Sequence, residues 1–242
     1  MRPKHYKAER LPLLVYLHGG GWTFGSTNSC ADFCDAVASA GKAMVLAIDY
    51  ALTPENPYPK GLEDCVTAVR YAREKAEEWG SADSLVSIGG DSSGGNLALA
   101  SALYLHQAED KMPRSLILFY PVLKAYDDDS ESWKKYGKGY GLDSNIMNVF
   151  NRAYIGANDA TAPLISPAHA SFDTLREMPP ILMVNAERDI LCDQGKEFAQ
   201  SNSNVTRIEF PGAVHLFITV KGQPTAFNKA VQLTSDSLNS DK

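Results

Sequence analysis

The sequence predicts an α/β fold built on a largely parallel sheet. Two observations carry this expectation. Short apolar, β-branched runs alternate with helix-periodic segments along nearly the whole chain, the pattern of strands joined by crossover helices. One glycine-rich turn, Gly89 to Gly95, also joins such a run directly to a helical segment. With 242 residues, 44% of them hydrophobic and 21% charged, a single domain over 1–242 is expected, because undivided α/β folds reach roughly 250 residues.

The expected strands are 11–17, 43–48, 84–88, 115–120, 180–185 and 205–210. Between the first two, Phe33, Val37 and Ala40 fall on one face of a helix. After Pro59, the residues Leu62, Val66, Val69 and Ala72 repeat at helical spacing. A small-residue helix over 93–106 follows the third strand directly, and Pro224 opens a last helix bearing Ala226, Phe227, Ala230, Val231 and Leu233. From about 124 to 167 the rhythm breaks into a polar, aromatic tract. Insertions of that length in compact domains are usually lids or binding loops.

Composition excludes several partners. A net charge of −6 disfavours nucleic acid and anionic membrane, which attract basic surfaces. No stretch reaches the roughly 18 apolar residues of a membrane span. The cysteines Cys30, Cys34, Cys65 and Cys192 are too scattered for a disulfide framework and lack neighbours to complete a zinc site. Asp127, Asp128 and Asp129 read as a solvated acidic turn, since no second oxygen-rich cluster accompanies them. The first ten residues lack a signal-peptide core, so a cytoplasmic protein without metal or cofactor is expected.

The sharpest local signal is Gly90-Asp91-Ser92-Ser93-Gly94-Gly95-Asn96. It contains G-x-S-x-G directly after a strand and before a helix, the context of a nucleophile elbow. Ser92 occupies the apex; the hydroxyl of Ser93 lies one position past it. The second signal is His18-Gly19-Gly20-Gly21-Trp22 at the end of the first strand. Consecutive glycines cost backbone entropy, and they make sense where N–H groups must approach a ligand closely. An oxyanion hole drawn from Gly19, Gly20, Gly21 and the Ser93 N–H is the expectation, with His18 bracing the loop.

Together with Asp49-Tyr50-Ala51-Leu52-Thr53-Pro54-Glu55, Pro59, Asp64 and Tyr120-Pro121, these motifs make the chain resemble the bacterial hormone-sensitive-lipase-like esterases of the α/β-hydrolase fold. The resemblance implies a serine esterase using a Ser-Asp-His triad in that chain order. It implies structural support of the oxyanion loop by the tract from Asp49 to Glu55, and Asp91 is grouped with His18 in that supporting set. It points to His215, after the last strand, as base over His106 and His169. It points to Asp189 as acid over Glu187 and Asp193.

Three departures stand out. Ser93 replaces an alanine and Leu216 replaces a glycine that commonly follows the histidine. Only 17 residues precede His18, where the family carries a lid segment and two further strands. Met1-Arg2-Pro3 resembles the interior of such a strand, so a shortened reading of a longer protein is expected, one from which a signal peptide could have been lost. An unfinished sheet edge would invite pairing with a second copy, hence a homodimer. The expected substrate is a small ester with a short, acetyl-type acyl group. Tyr126, Trp133, Tyr136 and Tyr140 either pack the lid or contact a sugar alcohol. An amidase or aryl-formamidase would use the same triad, and a non-catalytic receptor would use the scaffold alone.

Overall fold

A computed structural model describes residue 1 and residues 10–240. Six strands form one sheet in the order β2-β1-β3-β4-β5-β6, and every adjacent pair is parallel. They are β1 (Leu13–Leu17), β2 (Met44–Ile48), β3 (Val86–Asp91), β4 (Leu116–Phe119), β5 (Ile181–Arg188) and β6 (Val205–Val214). The expected strand over 84–88 starts later, because Asp83–Leu85 forms a single 3-10 turn. The last strand runs past its expected end and through Pro211. An edge strand tolerates a proline there, since its outer N–H groups have no ladder partner.

Alternation along the strands builds two cores. Leu13, Val15 and Leu17 join Ile88, Leu116, Leu118 and Met183 on one face. Leu14, Tyr16, Ile117, Phe119 and Val184 line the other. Helices α1 (Ala31–Ala40) and α8 (Pro224–Asn239) cover the second face and touch each other. The first face is covered by α2 (Lys60–Trp79), α3 (Ser93–Gln107) and α7 (Cys192–Ser201). Burial of each large aliphatic side chain contributes about 1.5–3 kcal/mol, so these layers hold the strand ends rigidly.

The helix α3 is buried on nearly every side from Ser93 to Leu103. Its glycines and alanines let it lie between the sheet and α2. The helix α2 buries Leu62, Val66, Val69 and Ala72 along one stripe and stops at Gly80, whose φ of +84° suits a left-handed cap.

The 124–167 tract contains two helices, α4 (Glu131–Lys135) and α5 (Ser144–Ile155). A short α6 (Phe172–Arg176) leads back to β5. Two of the three aspartates shape the turn before α4. Asp127 accepts the Asp129 N–H at 3.0 Å and Asp128 accepts that of Ser130 at 3.2 Å. At the β2 edge, Met1 and Val45 exchange backbone hydrogen bonds of 2.7 and 3.1 Å. Arg2 and Pro3, on which the expected N-terminal strand rests, lie outside the described residues.

Candidate active site

Ser92 lies between β3 and α3 with φ +54° and ψ −119°, a conformation that costs a residue with a Cβ roughly 1–3 kcal/mol. The turn holds because its neighbours leave no alternative. The Ser92 N–H donates to the Phe119 carbonyl at 2.9 Å, and the Val122 N–H donates back to the Ser92 carbonyl at 3.2 Å. A Cβ at Gly90 would lie 2.5 Å from the Gly94 carbonyl, and one at Gly94 would run into the Leu17 carbonyl. Both glycines of the G-x-S-x-G are therefore sterically required.

The loop after β6 brings His215 to this serine. His215 Nε2 lies 3.1 Å from Ser92 Oγ, and His215 Nδ1 lies 2.7 Å from Asp189 Oδ2. The other carboxylate oxygen of Asp189 accepts the Leu191 N–H at 3.1 Å. Ser92, His215 and Asp189 are 4%, 2% and 1% exposed, so the relay is buried.

The competing residues are occupied elsewhere. Glu187 accepts the Gly212 N–H at 2.6 Å, bracing β6. Asp193 accepts the Ser132 N–H at 2.8 Å. His106 faces Glu177 at 3.5 Å, and His169 meets the Tyr126 hydroxyl at 2.6 Å.

Two residues hold the histidine and its loop, Tyr120 from the motif set and Gln223, which sequence reasoning missed. The Tyr120 ring packs on it with centroids 4.5 Å apart, and the Tyr120 hydroxyl accepts the Ile218 N–H at 3.3 Å. Gln223 accepts the Val214 N–H at 2.9 Å and donates to the Val214 carbonyl at 3.3 Å. Leu216 takes φ +66°, which explains why a glycine is at home after this histidine: the turn needs the left-handed region.

The oxyanion loop requires one correction. Gly19 was expected among the donors, but its N–H already donates to Asp91 Oδ1 at 3.1 Å. Among the described residues no acceptor takes the N–H of Gly20 or Gly21, and Ser93, as first residue of α3, has no intrahelical acceptor. Gly20 and Gly21 have φ of +126° and +60°. His18 braces the loop: its ring stacks on Tyr50 at 4.5 Å, and the Tyr50 hydroxyl donates to the His18 carbonyl at 2.7 Å. Asp49 accepts the Thr27 N–H at 2.6 Å. Glu55 is exposed and makes no side-chain hydrogen bond among the described residues, so the expected support from it is absent. Thr53 takes that part, donating its N–H to the Trp22 carbonyl at 2.8 Å.

Asp91 is fully buried, and desolvation holds its carboxyl above the usual range despite the Tyr16 hydroxyl donating to Oδ1 at 3.1 Å.

The 124–167 tract packs over these groups from two sides. Tyr154 on α5 stacks on Trp22 at 4.2 Å, and the Phe150 ring covers Gly21 so closely that a Cβ there would collide with it. On the other side Gly141 abuts the His215 backbone. Ser132 on α4 ties the lid to the acid loop, donating its hydroxyl to the Ile190 carbonyl at 2.9 Å and accepting the Asp193 N–H at 3.2 Å. Trp133 is buried in the lid, whereas Tyr136 and Tyr140 are half-buried and meet edge to face.

A parallel sheet with a serine at a tight strand-to-helix turn, faced by a histidine–aspartate pair, defines a hydrolase-fold domain. The chain belongs to the α/β-hydrolase fold family, which it matches over residues 14–219. It is 32% identical over 195 residues to carboxylesterase NlhH of Mycobacterium tuberculosis, covering 79% of this chain and 60% of that protein. It is 34% identical over 211 residues to ethyl acetate hydrolase of Pseudomonas putida, covering 85% and 65%. The chain thus spans less than two thirds of these relatives' own length. Its fold superimposes on a thermostable esterase from Pseudomonas putida with a TM-score of 0.91 at 27% identity, covering 99% of this chain and 78% of the other.

Proposed function

We propose that the protein is a serine carboxylesterase acting on small esters of short, acetyl-type acyl groups. The observation that carries the reading is the continuous relay from Ser92 Oγ through His215 to Asp189, at 3.1 and 2.7 Å. It faces a loop whose Gly20 and Gly21 N–H groups have no acceptor among the described residues. Kinship with a carboxylesterase and an ethyl acetate hydrolase supports the same reaction class.

In this mechanism the Asp189 carboxylate accepts a hydrogen bond from His215 Nδ1–H, which leaves Nε2 free to take the Ser92 proton. Ser92 Oγ attacks the ester carbonyl, and the carbonyl oxygen gains negative charge. The N–H groups of Gly20, Gly21 and Ser93 point donors at that oxygen. Protonated His215 returns its proton to the leaving alcohol, giving an acyl-serine. Water, deprotonated by His215, then attacks the acyl group, and the acid product leaves with Ser92 restored.

Short acyl groups fit a nucleophile this deeply covered by the lid. Of the four aromatics, Trp133 packs the lid itself and Tyr126 is engaged by His169, so the carbohydrate reading rests on Tyr136 and Tyr140. A p-nitrophenyl ester series from acetate to laurate, with acetylxylan and a formyl anilide alongside, tests the reading. It predicts the highest kcat/KM for acetate or propionate. A maximum at long chains removes the acyl assignment, and faster turnover of the anilide makes the protein an amidase.

A further inference from the structure

We infer that the segment 135–141 is the wall of the site on the leaving-group side and selects esters whose alcohol carries a negative charge. The inference deepens the esterase reading and rests on it for the reaction.

The proton route fixes which wall the alcohol meets. His215 Nε2 hands its proton to the leaving oxygen, so the alcohol lies beside the imidazole while the carbonyl oxygen turns toward Gly20 and Gly21. Gly141, with φ +95°, runs against that histidine. A Cβ there would lie 3.1 Å from the His215 carbonyl oxygen and 3.4 Å from the His215 Cβ. Tyr140 precedes Gly141 directly and meets Tyr136 edge to face, with ring centroids 5.0 Å apart. The Lys135 ammonium stands 5.0 Å from the centroid of the Tyr136 ring. Contacts thus run without a break from the catalytic histidine to a lysine. Both tyrosines are half-buried, which leaves ring surface for a ligand.

Charge sets this wall apart. The chain carries −6 overall, yet 133–141 holds Lys134, Lys135 and Lys138 and no acidic residue. Asp129 and Glu131 hold Lys134 at 3.2 and 3.8 Å. Lys135 and Lys138 are exposed and make no ion pair among the described residues. Glu187 acts on Lys135 through space but accepts the Gly212 N–H, and Asp143 accepts the Gly139 N–H at 2.7 Å. Beside the oxyanion loop the contacts are hydrocarbon instead. Phe150 meets Phe24 at 5.7 Å, and Phe24, Ile146 and Val149 are exposed. The two walls suit a short hydrocarbon acyl group on one side and an anionic alcohol on the other.

The test uses the full chain and two matched pairs: 4-acetoxybenzoate with 4-acetoxybenzamide, and an acetylated sugar phosphate with the neutral sugar acetate. At least one anionic ester should exceed its neutral partner about tenfold in kcat/KM, the order expected from two solvent-exposed charges acting together. The pair that shows the preference tells a carboxylate from a phosphate. The preference should arise in KM and fade between about 0.05 and 0.5 M salt. It should vanish in the double variant Lys135→Gln/Lys138→Gln and reverse in Lys135→Glu/Lys138→Glu. No preference in either pair at low salt overturns the inference, as does a preference that survives in the glutamine variant. Binding of the alcohols released from the four esters, followed by NMR titration, should show the same tenfold ratio without turnover. A chain that hydrolyses none of the esters sinks the esterase reading, and the binding ratio still decides the charge of the wall.

Discussion

His215 Nε2 lies 3.1 Å from Ser92 Oγ although 123 positions separate the two residues in the chain. That contact needs β6 to continue through Pro211 to Val214 before the chain turns back over the sheet. The turn is fixed by Gln223, Tyr120 and the left-handed Leu216.

Leu216 carries a side chain where the backbone favours glycine. Replacing it with glycine should relieve strain at φ +66° and leave stability the same or higher by about 1 kcal/mol. Urea denaturation measures this, and a clear loss of stability would show that the side chain contributes more packing than the strain costs.

Ser92 is also strained, at φ +54°. Ser92→Gly should abolish ester hydrolysis while raising the melting temperature, because relief of roughly 1–3 kcal/mol of strain outweighs the added chain entropy. Ser92→Ala retains the Cβ and should not show that gain. Equal melting temperatures for the two variants would contradict the strain account.

Asp91 gives a pH-dependent prediction. Burial raises its carboxyl above the ordinary value, so the folded state binds its proton more tightly than the unfolded chain does. Stability from this group is therefore full below the unfolded carboxylate range and falls as pH rises through the raised folded value. Asp91→Asn cannot ionise. Its melting temperature relative to wild type should be higher at pH 7 than at pH 3; a difference that shrinks as pH rises would reverse the sign.

Much of this architecture is legible in the sequence, for reasons that vary by residue. Ser92 and the glycines around it announce themselves because local sterics demand them: side chains at Gly90 and Gly94 would collide with nearby backbone. The six strands read correctly from apolar runs, with errors confined to their ends. Asp189 and His215 were reachable only through chain order and family resemblance, since their chemistry arises from contacts across the sheet. Gln223 and Ser132 were missed for the same reason, and Tyr120, though part of the motif set, was not tied to His215. Nothing local in a glutamine between Gly222 and Pro224 signals that it braces a histidine loop. The donor role expected of Gly19 failed because a repeated glycine shows where backbone comes close, not which N–H is already taken. Both lid helices were hidden by polar composition; α5 buries only Met147, Asn151 and Tyr154.

The anchoring of the lid by Ser132 can be weighed directly. Ser132→Ala removes a donor to Ile190 and an acceptor for the Asp193 N–H, leaving buried backbone groups unpaired. A loss of about 1–3 kcal/mol is expected, with faster proteolytic cleavage within 131–143. Unchanged stability and unchanged cleavage would mean that other contacts hold the lid.

The most direct test of the central claim is covalent trapping with a small organophosphonate, followed by peptide mass mapping. The account predicts stoichiometric labelling at Ser92, greatly slowed in His215→Ala and absent from Ser92→Ala. A label that persists in Ser92→Ala, or a folded wild-type chain that takes none, would contradict it.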